Sequence, residues 1–370
     1  MGKDLKGKEL GKGISQRKTD GYYSARFKSR VTGKTVQKYF KKLQECRQWY
    51  ADATFEDEHG NINIGLDLSV DGLHNIWLEQ NKATWKKGTR MMYENYYKSI
   101  PRSFKNMLIV DIKPLHCQNL IINLSSKYSH GTLTLIRKML TSMFNFAVDN
   151  DFIVKTPVIK SLKIPGETKH RDAMTIDEQK KFMESAKTSS YYNLFMFVLQ
   201  TGLRVSELMG LQWKDIDFSK RELKVERQLV YYRGVGWEYT TPKSKAGYRI
   251  IPMTEECVRI LKNQKEKRTI INIEYSDNVF TTEKGKPIVN SNIEKRMKEI
   301  CKKINIPPYT MHSLRHTMCT RAFEAGANPR VMQEIMGHSN LKTTMEIYTH
   351  VTQKTKEKEI KKISKGLKIV

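Results

Sequence analysis

The segment His312-Ser-Leu-Arg315-His316 places an imidazole, a guanidinium and a second imidazole at i, i+3 and i+4, so in a helix all three would share one face. The H-x-x-x-H spacing is one that zinc sites use, but the metalloprotease form needs Glu after the first His, and that position is Ser313. A guanidinium between the two ligands would also repel a dication. The face suits an anion better, and a phosphate held by an arginine and an imidazole fits it.

Two other segments carry matching chemistry. In Gly202-Leu-Arg204-Val-Ser-Glu207-Leu208, Arg204 lies within one turn of Glu207, and the surrounding Phe197, Val198, Leu199, Leu203, Leu208 and Leu211 root it in a buried helix. A carboxylate beside a partly buried arginine holds it in one orientation. Further on, Met336-Gly-His338-Ser-Asn340 ends one helix and caps the next, and that next helix carries Tyr348 near its end. Between these segments, residues 222–230 and 241–252 read as the two arms of a β-hairpin with Gly234 and Gly236 in the turn.

In the order Arg204, Lys243, His312-x-x-Arg315, His338, Tyr348, this set resembles the catalytic set of the tyrosine recombinases. Gly-His-Ser-Asn, with Tyr-Thr-His starting ten residues after the His, is similar to the phage and conjugative-transposon integrase form. The likeness covers residues 170–352 by motif and the whole three-part layout more loosely. A lone tyrosine or a lone H-x-x-R says little, whereas four elements in the right order and spacing are specific.

The chemistry explains the set. When a tyrosyl oxygen attacks a phosphodiester, phosphorus becomes pentavalent and charge builds on the non-bridging oxygens. Two fixed guanidiniums, Arg204 and Arg315, can clamp them without a metal. A phenol ordinarily titrates near about 10, so the nucleophile must lose its proton during attack, and His312 is the expected acceptor. The leaving 5′ oxygen must gain a proton, which the resemblance assigns to a hairpin lysine. Lys243 is the expected donor and Lys245 its rival, with Ser244 where the family often has Thr. The resemblance also implies that His338 hydrogen-bonds the phosphate and that Glu207 orients the site without reacting. His316 receives no role, and no cofactor or metal is expected.

The rest of the chain must position this set on a polyanion. The 370 residues favour two or three domains over one core, and 66 Lys and Arg against 39 Asp and Glu give a net charge of +27. Residues 1–50 alone hold 14 basic and 4 acidic residues, a net +10, which marks a separate DNA-contacting module. Its β-prone runs, 21–30 and 34–40 around a turn at 31–34, precede a helix over 41–53, giving a small sheet packed by one helix. About half of Tyr22, Tyr23, Phe27, Tyr39, Phe40 and Trp49 are expected to supply its core, while Arg26, Lys28, Arg30 and Lys38 are the expected groove contacts. Acids and turn residues over 54–63 read as a linker.

From 69 to about 165 the apolar positions recur at helical spacing, as in Leu133, Ile136, Leu140, Met143 and Phe144. Lys86, Lys87 and Arg90 lead the locally unbalanced basic residues expected to meet DNA there. Thr175 then N-caps a new helix, and the tail over 354–368 reads as an amphipathic helix, with Ile360, Ile363 and Leu367 on one face. The expected fold is thus multidomain α+β. It comprises an arm-type DNA-binding domain (1–55), a helical core-binding domain (66–166) and a mostly helical catalytic domain with a small antiparallel sheet and the tail helix (170–370).

Other classes fit less well. Five scattered cysteines without a C-x-x-C pair favour neither a disulfide framework nor a thiolate metal site. No apolar run spans a membrane and residues 1–10 lack a signal's apolar core, so a cytoplasmic, nucleoid-associated bacterial protein is expected. A non-catalytic relative would lack Tyr348 or an arginine. The basic amino-terminal module and the tail favour a recombinase over a type IB topoisomerase, since the first can bridge a second DNA site and the second can dock on a neighbouring subunit, and a metal-dependent transposase would need an acidic triad. The expected enzyme is a mobile-element integrase working through a 3′-phosphotyrosyl link and a Holliday junction. Its partners would be core-type and arm-type duplex DNA, three further copies of itself, and in some reactions an excisionase and a host DNA-bending protein.

Overall fold

A computed structural model of the chain describes residues 2–30, 35–58, 68–167, 173–267, 274–353 and 360. It divides into two compact units, Met1–Lys169 and His170–Val370.

The amino-terminal unit begins with strands β1 (Gly2–Lys3), β2 (Glu9–Gly11), β3 (Ile14–Gln16), β4 (Tyr23–Lys28) and β5 (Thr35–Phe40), followed by helix α1 (Leu43–Glu58). β1 pairs with β2, and β3, β4 and β5 form a three-stranded antiparallel sheet. Directly paired residues share a face. The pairs Tyr23–Phe40, Ala25–Lys38 and Phe27–Val36 therefore lie together, and the pairs Ser24–Tyr39, Arg26–Gln37 and Lys28–Thr35 lie opposite. The first face receives α1, since Phe27 and Phe40 meet Trp49 at 6.3 and 5.7 Å between ring centroids. Leu10, Ile14, Ala25 and Cys46 are buried beneath.

The expected linker over 54–63 is corrected in its first half, because α1 runs on to Glu58. Its acids read as solvated, but Asp57 is buried and accepts hydrogen bonds from Ser29 Oγ (2.6 Å) and the Arg30 backbone N–H (2.8 Å). A buried carboxylate persists where donors satisfy it. The turn at 31–34 and the rest of the linker lie outside the described residues.

The same unit continues with α2 (Val70–Asn81), α3 (Lys87–Lys98), the short α4 (Arg102–Lys105), α5 (Pro114–Leu124) and α6 (His130–Asp149). Ser69 and Ser129 N-cap α2 and α6 through Gly72 N and Thr132 N. The apolar periodicity of α6 buries Leu133, Ile136, Met139, Leu140, Met143, Phe144 and Ala147 against Trp77, Ile121 and their neighbours. The segment after α6 is strapped back onto α5 and α6. Gln118 exchanges two hydrogen bonds with the Lys163 backbone, Arg137 donates to Leu162 O, and the His130 ring meets Pro165 O.

The carboxy-terminal unit opens with α7 (Ile176–Ala186), whose N-cap Thr175 exchanges hydrogen bonds with Glu178 in a capping box. It continues with α8 (Tyr192–Thr201), α9 (Val205–Gly210), β6 (Ile216–Asp217), β7 (Glu222–Val225), β8 (Gln228–Tyr232), β9 (Gly236–Thr240), β10 (Arg249–Pro252), α10 (Glu255–Glu266), α11 (Asn290–Lys303), α12 (Met311–Glu324), α13 (Pro329–Met336) and α14 (Leu341–Gln353). The hairpin expected between 222–230 and 241–252 pairs at its outer ends, and its inner part is corrected to a separate hairpin. β8 and β9 form a hairpin turning at Gly234 and Gly236, while β10 returns to β7 in a sheet of order β10-β7-β6. A core of aromatic and aliphatic residues, among them Phe182, Phe195, Phe197, Leu208, Ile251, Phe280 and Leu314, fixes α8, α9 and α12 against the sheet. Apart from Ile360, which is exposed, the tail over 354–368 lies outside the described residues.

Candidate active site

Arg315 sits one turn into α12, whose N-cap Thr310 shares a capping box with Ser313. Its side chain is buried, with 1% of the residue exposed, and it donates to two backbone carbonyls, Gly202 O and Met336 O. Both carbonyls belong to turns that end helices. Gly202 and Gly337 close α8 and α13 in the left-handed conformation, each at φ +63°. At this φ any side chain is strained, and Gly337 also meets backbone. A Cβ on Gly202 would come within 2.8 Å of Met336 Sδ, and one on Gly337 within 2.9 Å of Ala246 O. Burial, and then the neighbouring Arg204, push the Arg315 guanidinium down to about 9, which leaves it charged at neutral pH.

Arg204 begins α9. It donates from Nη1 to Glu207 Oε1 (2.7 Å) and from Nη2 to Gly337 O (2.9 Å), while its backbone N–H reaches Glu207 Oε2 (3.0 Å). The Glu207 side chain is fully buried and also accepts from Arg249 Nη2 at 2.9 Å. Burial pushes its carboxyl up, but the Arg249 hydrogen bond and charge and the Arg204 charge outweigh it, so Glu207 stays below the ordinary carboxylate range.

Arg204, His312 and Arg315 line one cleft with Leu203, Ser206 and Lys298. His312 is exposed in the first turn of α12, and His316 is not among the lining residues. The expectation of three groups on one working face thus reduces to two, since His312 and Arg315 line this cleft and His316 does not.

His338 follows Gly337, and its Nδ1 pairs with Thr344 Oγ1 of α14 at 2.9 Å. Burial, and then the charges of Arg315 and Arg204, push the imidazole down to about 4. It is therefore neutral at pH 7, with one ring nitrogen able to donate and one able to accept. Asn340 caps α14 through the Lys342 N–H (2.9 Å). Tyr348 lies one turn beyond Thr344, on the same face of that helix. Its ring stands edge-on to Phe323 of α12, 5.2 Å between centroids.

Lys243 and Lys245 are both exposed in the loop joining β9 to β10, with Lys245 opening a short 3-10 turn. The expected hairpin lysine is thus a loop lysine. Among the expected DNA contacts, Arg26 and Lys28 project from the sheet face opposite α1. Lys38 lies on the α1 side, its Nζ 5.7 Å from the Phe40 ring centre and 5.9 Å from that of Trp49. Arg30 follows β4 and is exposed. Lys86 and Lys87 start α3, and Arg90 pairs with Glu94 at 3.4 Å. Among the described residues, no cluster of His, Cys, Asp or Glu could hold a metal ion, and no helix is long and apolar enough to cross a membrane.

Sequence reasoning missed Arg249, Thr344 and the three carbonyls at 335–337. The signal for Arg249 was indirect: a buried Glu207 between apolar neighbours calls for more than one cation, but the second stands 42 residues away. Main-chain acceptors leave no trace in residue type.

Comparison with known proteins follows the same lines. Residues 172–355 match the phage integrase family, and residues 72–125 match the phage integrase N-terminal SAM-like domain. The chain is 34% identical to the transposase from transposon Tn916 of Enterococcus faecalis over 274 residues, covering 70% of this chain and 68% of that one. It is 31% identical to a tyrosine recombinase XerC-like protein of Caldanaerobacter subterraneus over 366 residues, 90% and 92% of the two chains. A solved structure of the Tn1549 transposon integrase in complex with transposon right-end DNA superimposes with a TM-score of 0.70 and 28% identity, covering 80% of this chain and 99% of that one. With a buried Arg315 and a part-buried Arg204 around one cleft and a tyrosine on the helix that follows His338, the chain belongs to the phage integrase family and is a tyrosine recombinase.

Proposed function

We propose that this protein is the integrase of a mobile element, which joins and releases that element at specific DNA sites through a covalent bond between Tyr348 and a 3′ phosphate. The observation that carries this reading is the pair Arg204 and Arg315, brought from separate helices to one cleft and each anchored on backbone carbonyls. Guanidiniums held in advance stabilise developing charge without reorganising as the reaction proceeds.

In the reaction the Tyr348 oxygen attacks the scissile phosphorus, the new P–O bond forms, and the bond to the 5′ oxygen breaks. His312, exposed at the cleft, takes the phenolic proton, and Lys243, with Lys245 as rival, returns one to the leaving 5′ oxygen. His338, neutral and held by Thr344, donates to a non-bridging oxygen, and Glu207 fixes Arg204. Attack of a 5′ hydroxyl from a second duplex reverses the step and joins the strands.

Three functional parts serve this chemistry: an arm-type domain (1–55) presenting Arg26, Lys28, Arg30 and Lys38, a helical domain (66–166) presenting Lys86, Lys87 and Arg90, and the catalytic domain (170–370). The net charge of +27 supports a duplex DNA substrate. We assign a tetramer on two DNA sites passing through a Holliday junction, in the bacterial cytoplasm at the nucleoid, with an excisionase and a DNA-bending protein as accessory partners.

The test uses sites selected from random duplexes, nicked so that cleavage traps the enzyme, in buffer without added metal. Wild type should give a denaturation-resistant protein–DNA adduct and Tyr348→Phe none. Tight binding with no adduct on any selected site would refute catalysis, and an adduct in the phenylalanine variant would refute the nucleophile.

A further inference from the structure

The end of α13 offers three consecutive backbone carbonyls, and each accepts from a different arginine. Ile335 O accepts from Arg249 Nε at 2.6 Å, Met336 O from Arg315 Nη2, and Gly337 O from Arg204 Nη2 at 2.9 Å. Such carbonyls lack partners within their own helix and form the negative end of its dipole, so they are natural seats for cations. Two of the three arginines are the proposed phosphate ligands. The third, Arg249, comes from β10 and has no assigned role.

Its contacts point inward. Nη1 donates to Gly247 O (3.1 Å), Nη2 to Glu207 Oε2 (2.9 Å), and its side chain is only 6% exposed. Glu207 in turn grips Arg204 through both its side chain and its backbone N–H. Arg249 thus holds the support of Arg204 on one side and the residue three before His338 on the other. Only a planar fork reaches both at once; an ammonium, a single point of contact, would reach one.

We propose that Arg249 is a positioning residue for strand cleavage, setting the aim of Arg204 through Glu207 and the place of His338 through Ile335 O. This rests on the phosphate-clamp reading of Arg204 and Arg315. It touches no reacting atom, so its loss should slow the chemical step and leave binding of the duplex intact.

The experiment compares full-length wild type, Arg249→Met and Arg249→Lys on the nicked trapping duplex at saturating protein. It reads the first-order rate of adduct formation, the affinity for the same duplex, and the melting temperature. Arg249→Met should form adduct about 100-fold more slowly, the scale on which small misplacement of a positioning group slows chemistry, with affinity within threefold of wild type. Arg249→Lys should recover part of that rate, since its Nζ can still reach Glu207, and it keeps the test alive should the methionine variant fail to fold. A lysine or folded methionine variant that cleaves within threefold of wild type overturns the proposal. So does a loss of rate matched by an equal loss of affinity or of folded protein, which would be a purely structural effect. Tyr348→Phe and Arg315→Ala run alongside. Adduct formed by either would refute the underlying site reading, whereas adduct lost in both but kept in Arg249→Met refutes only the role given to Arg249.

Discussion

Glu207→Gln is the perturbation whose size the structure fixes most tightly. The wild-type carboxylate is wholly buried and bonded to Arg204 Nη1, the Arg204 backbone N–H and Arg249 Nη2. Glutamine keeps the shape, but it loses the charge and turns one acceptor into an amide donor facing N–H groups. Breaking a buried ion pair by removing one partner costs about 3–5 kcal/mol, because the remaining charge stays buried and uncompensated. Arg249, 6% exposed, feels this fully, whereas Arg204, 31% exposed, can turn part of its charge to water, which favours the lower end of that range. In a unit of this size each kcal/mol lowers the melting temperature by about 2–4 °C, so about 3 kcal/mol should cost about 6–12 °C. Calorimetry on the full-length chain measures it.

The pH dependence supplies an independent check. Glu207 is held below its ordinary value of 4.5, so its stabilisation is present above that pH and is lost as pH falls through the folded-state value. Wild type should therefore lose stability faster than Glu207→Gln on acidification below 4.5. A shift under about 3 °C at neutral pH, together with parallel acid responses, would refute the claim that this carboxylate neutralises both arginines.

Other expectations test other parts of the molecule. His74 is buried and stacked on Tyr97, rings 3.5 Å apart, with burial pushing its pKa below 6.5. The helical region should then lose stability as pH falls from 6.5 through that lower value; His74→Phe should flatten the response in denaturant melts at pH 7.5 and 5.0, and equal losses would exclude His74 as its source. Thr344→Val removes the partner of His338 Nδ1, at a cost of about 1 kcal/mol or roughly fivefold in adduct formation, and an unchanged rate would show that the pair does not orient the ring. Each of Arg26→Ala and Lys28→Ala should reduce the slope of log affinity against log salt on arm-site DNA by about 0.9. Lys38→Ala should reduce it by less, and the reverse ranking would mean that the α1-bearing face meets the duplex.

The legible parts of the chain were those where local spacing decides structure. Thr175 with Glu178, Asn340 before α14, and the α6 periodicity all form as their residue types require. Arg204, Glu207 and Arg315 gather at one place, although only their order and chemistry pointed to it. The failures share a cause. Residues 54–58 carry acids that suit water, yet Asp57 is spent on a backbone N–H and a serine nearly thirty positions away, a contact that no local rule contains. Likewise, the arms read at 222–230 and 241–252 do pair, but only at their outer ends, Glu222–Val225 with Arg249–Pro252, because β8 takes β9 as its own partner. Lys38 alternates correctly along β5 but faces the helix, because strand alternation alone does not say which side α1 will cover.

The row of carbonyls at 335–337 also bears on how such an enzyme can change. An acceptor made of main chain survives any side-chain replacement that preserves the helix end, so Ile335 and Met336 can be exchanged for other residues of similar bulk without deleting an arginine's seat. The two glycines are the opposite case, since both hold φ +63°, where a side chain is strained, and Gly337 also abuts the Ala246 carbonyl. Variation is thus cheap along the outside of α13, where Arg330 and Val331 are exposed, and expensive at the two glycines. A laboratory library of random active variants should carry substitutions at those exposed positions while Gly202 and Gly337 stay untouched.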